Sequence, residues 1–169
     1  RNAASGLLQM NADFRLPLHW CLLGAAYPFW LGVAEVMGRL LNLQDQATQT
    51  QVVTRLKEKY GDRQTISRRA RYVIRSFVAW GVLKDSATKG CYEKAVPVPL
   101  SDANLTVLML EAALLATPEA QGALGLFLKN PAFFPFQLPV MTGDFVSRHS
   151  ERIDVLRYGF EDEFLKLKR

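Results

Sequence analysis

The chain has 169 residues, 49% of them hydrophobic and 22% charged, which excludes an extended disordered polymer and leaves room for one cored domain or two small ones. Its formal net charge of +5 points to an anionic partner rather than a cationic one. Cys21, Cys91, His19 and His149 form no CxxC pair and no metal-ligand spacing, so the sequence argues against a disulfide scaffold and a zinc site.

The positive charge is not spread evenly. Eleven basic residues lie between Arg55 and Lys94, against Glu58, Asp62, Asp85 and Glu93. That segment therefore carries more than the whole net charge. Nucleic acid is the commonest partner for such an excess; an acidic membrane surface or an acidic protein are the others. The two cysteines read as reduced thiols, buried as core filler, in a cytoplasmic protein.

In chain order, residues 1–13 read as a loose lead-in, and the absence of an initial Met reads as processing. Leu16 to Ala34 carries no formal charge over a length that could span a bilayer. Pro28 interrupts it, and the Tyr27-Pro28 step favours a break. The expectation is two helices, Pro17–Ala26 and Phe29–Leu43, rather than a membrane span. The first is apolar on nearly every side and should be buried. In the second, Leu31, Ala34, Met37 (or Val36), Leu40 and Leu41 form a stripe, with Glu35, Arg39 and Asn42 facing outward.

Gln44 to Gln49 reads as a polar connector. Thr48 and Gln51 have the spacing of a capping box, so a helix starts there. Val52, Val53, Leu56 and Tyr60 supply its apolar face, and Gly61 ends it. The next helix, from about Gln64, has an apolar stripe at Ile66, Ala70, Val73, Ile74, Phe77 and Val78. Its other face carries Arg68, Arg69, Arg71, Tyr72 and Arg75, and Thr65 or Ser67 are candidates to cap it. Gly81 stands where a left-handed cap would stop it. Val82 to Asp85 and Cys91 to Lys94 flank a loop suited to a hairpin.

Pro97 and Pro99 mark residues 97–100 as an extended linker. The predicted domains are therefore 14–96 and 101–169. Beyond the linker, Leu105–Ala116 is apolar with a single charge, Glu111, and must be covered by the first domain or by another chain. A homodimer through it would suit a two-fold binding site. Thr117-Pro118-Glu119 predicts a further helix over Ala120–Leu128. Asn130 to Pro139 holds three prolines and reads as an irregular aromatic loop. Its Phe133, Phe134 and Phe136 are expected under the fold; if exposed, they would be a protein-partner site. A short helix before Arg152 and a β-hairpin after it, turning at Gly159, complete the reading. Glu161, Asp162 and Glu163 read as a solvated turn.

At Thr65–Lys94 the chain resembles the winged helix-turn-helix superfamily. The resemblance rests on Ser67-Arg68-Arg69 at the helix start, Phe77-Val78-Ala79-Trp80-Gly81-Val82-Leu83 at the passage into the hairpin, and Gly90-Cys91-Tyr92 at its return. It covers about seventy residues, roughly Phe29 to Val96. It implies a mainly α fold with a small β wing, the long helix in a DNA major groove and the wing on adjacent backbone. By position, Gln64, Thr65, Ser67, Arg68, Arg69, Arg71, Tyr72 and Arg75 would face double-stranded DNA. Lys84 and Lys89, with Lys94, would sit nearer phosphate. Arg68, with Arg71 or Tyr72, is placed for base contact, and Arg69 and Arg75 for backbone. The superfamily also includes scaffold subunits that bind protein instead, and the sequence leaves that alternative open.

No enzyme is expected. His149 lies near Ser147, Ser150 and Glu151, but sequence adjacency builds no dyad. There is no phosphate-cradling glycine loop, GxSxG or HExxH. The sequence offers no catalytic residue and no cofactor motif.

Overall fold

The computed structural model describes residues 14–158 and 162–168. The 1–13 lead-in, the Gly159 turn and Glu161 lie outside them. The described chain is mainly helical with small sheets. Its contacts divide it into two units.

One unit takes in residues 29–98 and 130–137. Helix α2 (Pro28–Leu43) is followed by strand β1 (Gln46–Thr48), helix α3 (Gln49–Tyr60), helix α4 (Gln64–Ala79), and strands β2 (Leu83–Asp85) and β3 (Cys91–Lys94). The three strands are antiparallel in the order β1-β3-β2. The sequence reading had only a polar connector where β1 stands. β1 exists because Ala47, fully buried, pairs with Tyr92 across forty-five residues of chain, which no local pattern announces.

Local signals account for most of the rest of this unit. Thr48 Oγ1 accepts from the Gln51 N–H at 3.1 Å, and Gln51 Oε1 accepts from the Thr48 N–H at 2.8 Å, closing the capping box of α3. Gly61 and Gly81 end α3 and α4 with φ of 89° and 72°, conformations in which a Cβ would be strained. On α4, Ile66, Ala70, Ile74 and Phe77 are buried, and Val73 and Val78 are half-buried. Phe77 is the centre of the core. Its ring lies edge-on to Trp30 at 5.3 Å and to Phe134 at 6.0 Å between centroids.

Phe134 comes from the returning segment. Pro131–Phe133 forms a single 3-10 turn, with the Ala132 N–H donating to Asn130 Oδ1 at 2.9 Å. The Val98 N–H donates to the Pro135 carbonyl at 2.8 Å. Phe133, Phe134 and Phe136 are all buried. The alternative in which they form an exposed partner site is thereby corrected: three adjacent aromatic rings are hidden rather than displayed.

The second unit takes in residues up to 28, 99–129 and from 138 onward. Helix α1 (Arg15–Ala26) packs along helix α5 (Ala103–Ala116). Asp102 caps α5 by accepting from the Asn104 N–H at 2.7 Å. Eight of the helix's residues, from Leu105 to Leu114, are buried. The Leu105–Ala116 helix, expected to be covered by the first domain or by another chain, is covered by α1 and its neighbours within one chain. The expected spans 14–96 and 101–169 also differ from these units. Residues 15–28 join the C-terminal part of the chain and 130–137 join the earlier part, since apolar faces seek one another irrespective of sequence order.

The remaining elements of this unit are strand β4 (Gln121–Ala123), helix α6 (Leu124–Leu128), helix α7 (Gly143–His149), and strands β5 (Ile153–Tyr158) and β6 (Asp162–Leu167). The sheet order is β4-β6-β5. The helix expected over Ala120–Leu128 is confined to its last five residues. Ala120 takes a positive φ of 51° and its carbonyl accepts from the Leu167 N–H at 2.9 Å, which diverts the chain into the sheet. The terminal hairpin pairs Ile153 with Leu167 through to Tyr158 with Asp162. Glu163 is no solvated turn residue: it lies in β6 and accepts from the Gly143 N–H at 2.6 Å.

Among the described residues no single helix is long and apolar enough to cross a membrane. The uncharged stretch is split at Tyr27, before Pro28, into α1 and α2.

Candidate nucleic-acid interface

Helix α4 is amphipathic, with Ile66, Ala70, Ile74 and Phe77 buried along one side, so its other side must face away from the core. Arg68, Arg69, Arg71, Tyr72 and Arg75 are all exposed. Helical geometry orders them further. Opposite the centre of the buried stripe stand Arg68, Tyr72 and Arg75, at i, i+4 and i+7. Arg69 and Arg71 lie on opposite flanks. Gln64 and Thr65 are exposed in the first turn, whereas Ser67 is half-buried against the core side. Tyr72, 62% exposed, is a large apolar surface placed among cations. The Arg71 guanidinium carbon lies 5.8 Å from its ring centroid.

The cap expected from Thr65 or Ser67 is not made. The helix opens at Gln64, where the sequence reading placed its start, with Arg63 as N-cap in extended backbone and no side-chain cap bond. The Arg63 carbonyl accepts from the Ile66 N–H at 3.0 Å. This puts the exposed Arg63 beside the free amides of the first turn. Arg63 was not among the sequence-derived interface residues; only its membership of the basic segment signalled it.

Ion pairing sorts the cations of this unit. Lys57 pairs with Asp62 at 2.7 Å, Lys59 with Glu35 at 2.9 Å, Arg55 with Glu58 at 3.1 Å, and Arg75 with Asp85 at 2.7 Å. Glu93 accepts from the Gln46 amide at 2.8 Å. None of the ion pairs among the described residues involves Arg63, Arg68, Arg69, Arg71, Lys84, Lys89 or Lys94. The uncompensated charge is therefore concentrated on α4 and the hairpin. Lys84 and Lys89 are exposed there, and Lys94 is half-buried.

Arg75 departs from the sequence reading. Its Nη1 donates to both carboxylate oxygens of Asp85, at 2.7 and 2.8 Å. The hydrogen bond to Asp85 and the charge of that carboxylate hold the Arg75 pKa above its ordinary value. For Lys59, burial is the largest single influence and lowers its pKa, but the hydrogen bond and charge of Glu35, with a smaller contribution from Tyr60, together outweigh it and hold the pKa above its ordinary value.

A groove of about 410 Å³ between α2 and α3 makes a contrast. Val36, Leu40 and Leu43 line it, but its rim cations Arg39, Arg55 and Lys59 already pair with Glu35 and Glu58. It offers no free charge to an anion.

In the other unit, the His149 ring stacks on Phe145 with centroids 3.8 Å apart, and Nδ1 lies 2.9 Å from the Phe145 carbonyl oxygen. Ser150 Oγ accepts from the Arg152 N–H at 3.2 Å. These bonds occupy both groups locally and build no nucleophile–base pair. Among the described residues no group of three or more His, Cys, Asp or Glu side chains is arranged to hold a metal ion.

A scan against protein-family models, a search of curated proteins and a search of solved structures each find no match to this chain.

Proposed function

We propose that the unit formed by residues 29–98 is a winged helix-turn-helix module that binds double-stranded DNA, with α4 as the recognition helix and β2–β3 as the wing. The order helix, strand, helix, helix, hairpin, and the strand order β1-β3-β2, support the fold reading. The observation that carries the functional reading is the segregation of charge. Cations elsewhere in the unit have carboxylate partners, whereas Arg63 at the helix cap, Arg68, Arg69 and Arg71 on the helix and Lys84 and Lys89 on the adjoining hairpin have none among the described residues. Unpaired arginines at the amino-terminal half of an exposed helix suit guanine edges and phosphates alike. Arg68, on the outward line, is the base reader, and Tyr72 one turn on offers an apolar edge to a neighbouring base. Lys84 and Lys89 hold phosphate and set register. The module acts as a regulator or as the DNA-contacting part of a larger assembly.

The test is a salt series of duplex binding. Affinity should fall steeply with salt, with a log–log slope of about −0.9 for each neutralised phosphate. Arg68→Ala combined with Arg71→Ala should abolish the retarded complex at moderate salt. A wild-type protein that shifts no duplex even at low salt would sink the proposal.

A further inference from the structure

Arg75 and Asp85 join the recognition helix to the wing. Asp85 ends β2 and is paired in register with Tyr92 of β3. Arg75 sits in the last turns of α4, beyond Arg68 and Tyr72 on the same outward line. Among the described residues, theirs is the one ion pair linking α4 to the hairpin. Both partners are about half exposed, at 53% and 51% of their side chains, so the pair stands at the surface that the wing and helix share. Backbone bonds already tether the base of the hairpin: the Val82 N–H donates to the Phe77 carbonyl at 3.0 Å, and the Ala95 N–H to the Val82 carbonyl at 3.2 Å. Further out, β3 is held by its pairing with β1 and by the Gln49 N–H, which donates to the Gly90 carbonyl at 2.8 Å, whereas β2 is the edge strand and Arg75–Asp85 is the ion pair, among the described residues, that joins it to α4.

We propose that Asp85 is a positioning residue of the DNA interface: it keeps Arg75 as a strut between helix and wing and withholds that arginine from phosphate. The proposal rests on the DNA-binding reading and adds to it. It divides the outward cations into Arg68, Arg69 and Arg71, which are free for an anion, and Arg75, whose charge is already neutralised. The pair also fixes the spacing between the helix arginines and Lys84, which neighbours Asp85 in the chain. A carboxylate next to the groove also repels phosphate, so the same residue limits how closely DNA of any sequence approaches the end of α4.

Two measurements on the full chain decide it. In the duplex salt series, Arg75→Ala should keep the wild-type slope, because no counterion release is lost, whereas Arg68→Ala should make it shallower by about 0.9. Asp85→Asn should steepen the slope by up to about 0.9 as Arg75 becomes available, with tighter binding to random duplex. Without DNA, amide exchange at Ser86 and Cys91 on the hairpin should accelerate about two- to fivefold in both Arg75→Ala and Asp85→Asn, the range expected for losing an exposed ion pair. A slope loss in Arg75→Ala equal to that of Arg68→Ala would overturn the proposal, as would unchanged slope in Asp85→Asn. If wild-type protein binds no DNA, the DNA reading falls on its own. The exchange rates then judge the strut: faster exchange in both variants sustains it, and unchanged exchange refutes it.

Discussion

Gly38 lies directly against the carbonyl of Pro131: a Cβ added at Gly38 would overlap that oxygen and press on the Phe134 Cβ. The contact explains how the proline-rich segment 130–137 returns to α2 and places Phe134 on Phe77. Gly38→Ala would gain up to about 1 kcal/mol of helix propensity. Overpacking against a backbone group that cannot rotate away costs more, about 1–3 kcal/mol. The net effect should be destabilising, read as a lower urea midpoint at unchanged slope. Gly125, exposed on α6 with nothing within 4 Å of a built Cβ, is the control. Gly125→Ala should be neutral or stabilising.

Thr48 closes the capping box of α3, and the next residue, Gln49, donates its N–H to the Gly90 carbonyl at 2.8 Å in the loop of the wing. Thr48→Ala removes the hydroxyl acceptor and should cost about 1 kcal/mol. Thr48→Ser should restore most of it. Chemical denaturation of the three proteins tests this. Equal stability of the Ala and Ser variants would show that the hydroxyl contributes nothing.

Cys21 is buried on α1, and burial pushes its thiol pKa up from 9.0 to about 12, with the Glu111 charge adding to the rise. In the folded protein the thiol stays protonated where the unfolded chain has lost its proton. The unfolded state then binds fewer protons, so stability falls as pH rises. The contribution is fully present below pH 9.0 and is lost between 9.0 and about 12. The limiting slope is about 1.4 kcal/mol per pH unit. The difference in stability between wild type and Cys21→Ala should therefore shrink across that window. In native protein near neutral pH, a maleimide should label the half-buried Cys91 before Cys21.

Lys84 and Lys89 are exposed on the hairpin without carboxylate partners among the described residues. As phosphate contacts they carry no sequence information. Lys84→Ala with Lys89→Ala should weaken binding to all duplexes alike and reduce the salt slope by up to about 2. Arg68→Ala should instead narrow the gap between preferred and random duplex. A double lysine variant that changes sequence preference and leaves the slope intact would contradict this division of roles.

The candidate interface was partly legible before any fold was known. The positions that make α4 amphipathic are three and four residues apart, so periodicity alone separates Ile66, Ala70, Ile74 and Phe77 from Arg68, Arg71 and Tyr72. The role of Arg75 was not legible. An arginine on the outward face and an aspartate ten residues later become partners only when the chain turns at Gly81 and β2 returns beside the helix. Ser67 was misplaced for a smaller reason: it stands seven residues before Ile74, on the same side of the helix, so the phase of the buried stripe turns it toward the core rather than outward.

The sequence by itself determined the elements whose causes are local. The capping box at Thr48 and Gln51, the left-handed glycines at 61 and 81, the break at Tyr27-Pro28 and the two-faced α4 all depend on residues within a few positions of one another. Only the tertiary structure decided which apolar surfaces meet. Helices α1 and α5 are apolar on almost every side, so their periodicity names no direction, and α1 packs on a helix some ninety residues away. The same holds for β1, for the return of Phe134 to Phe77, and for the pairing of Arg75 with Asp85. Each depends on two segments distant in sequence, and burial rewards such a contact without writing it into either segment alone.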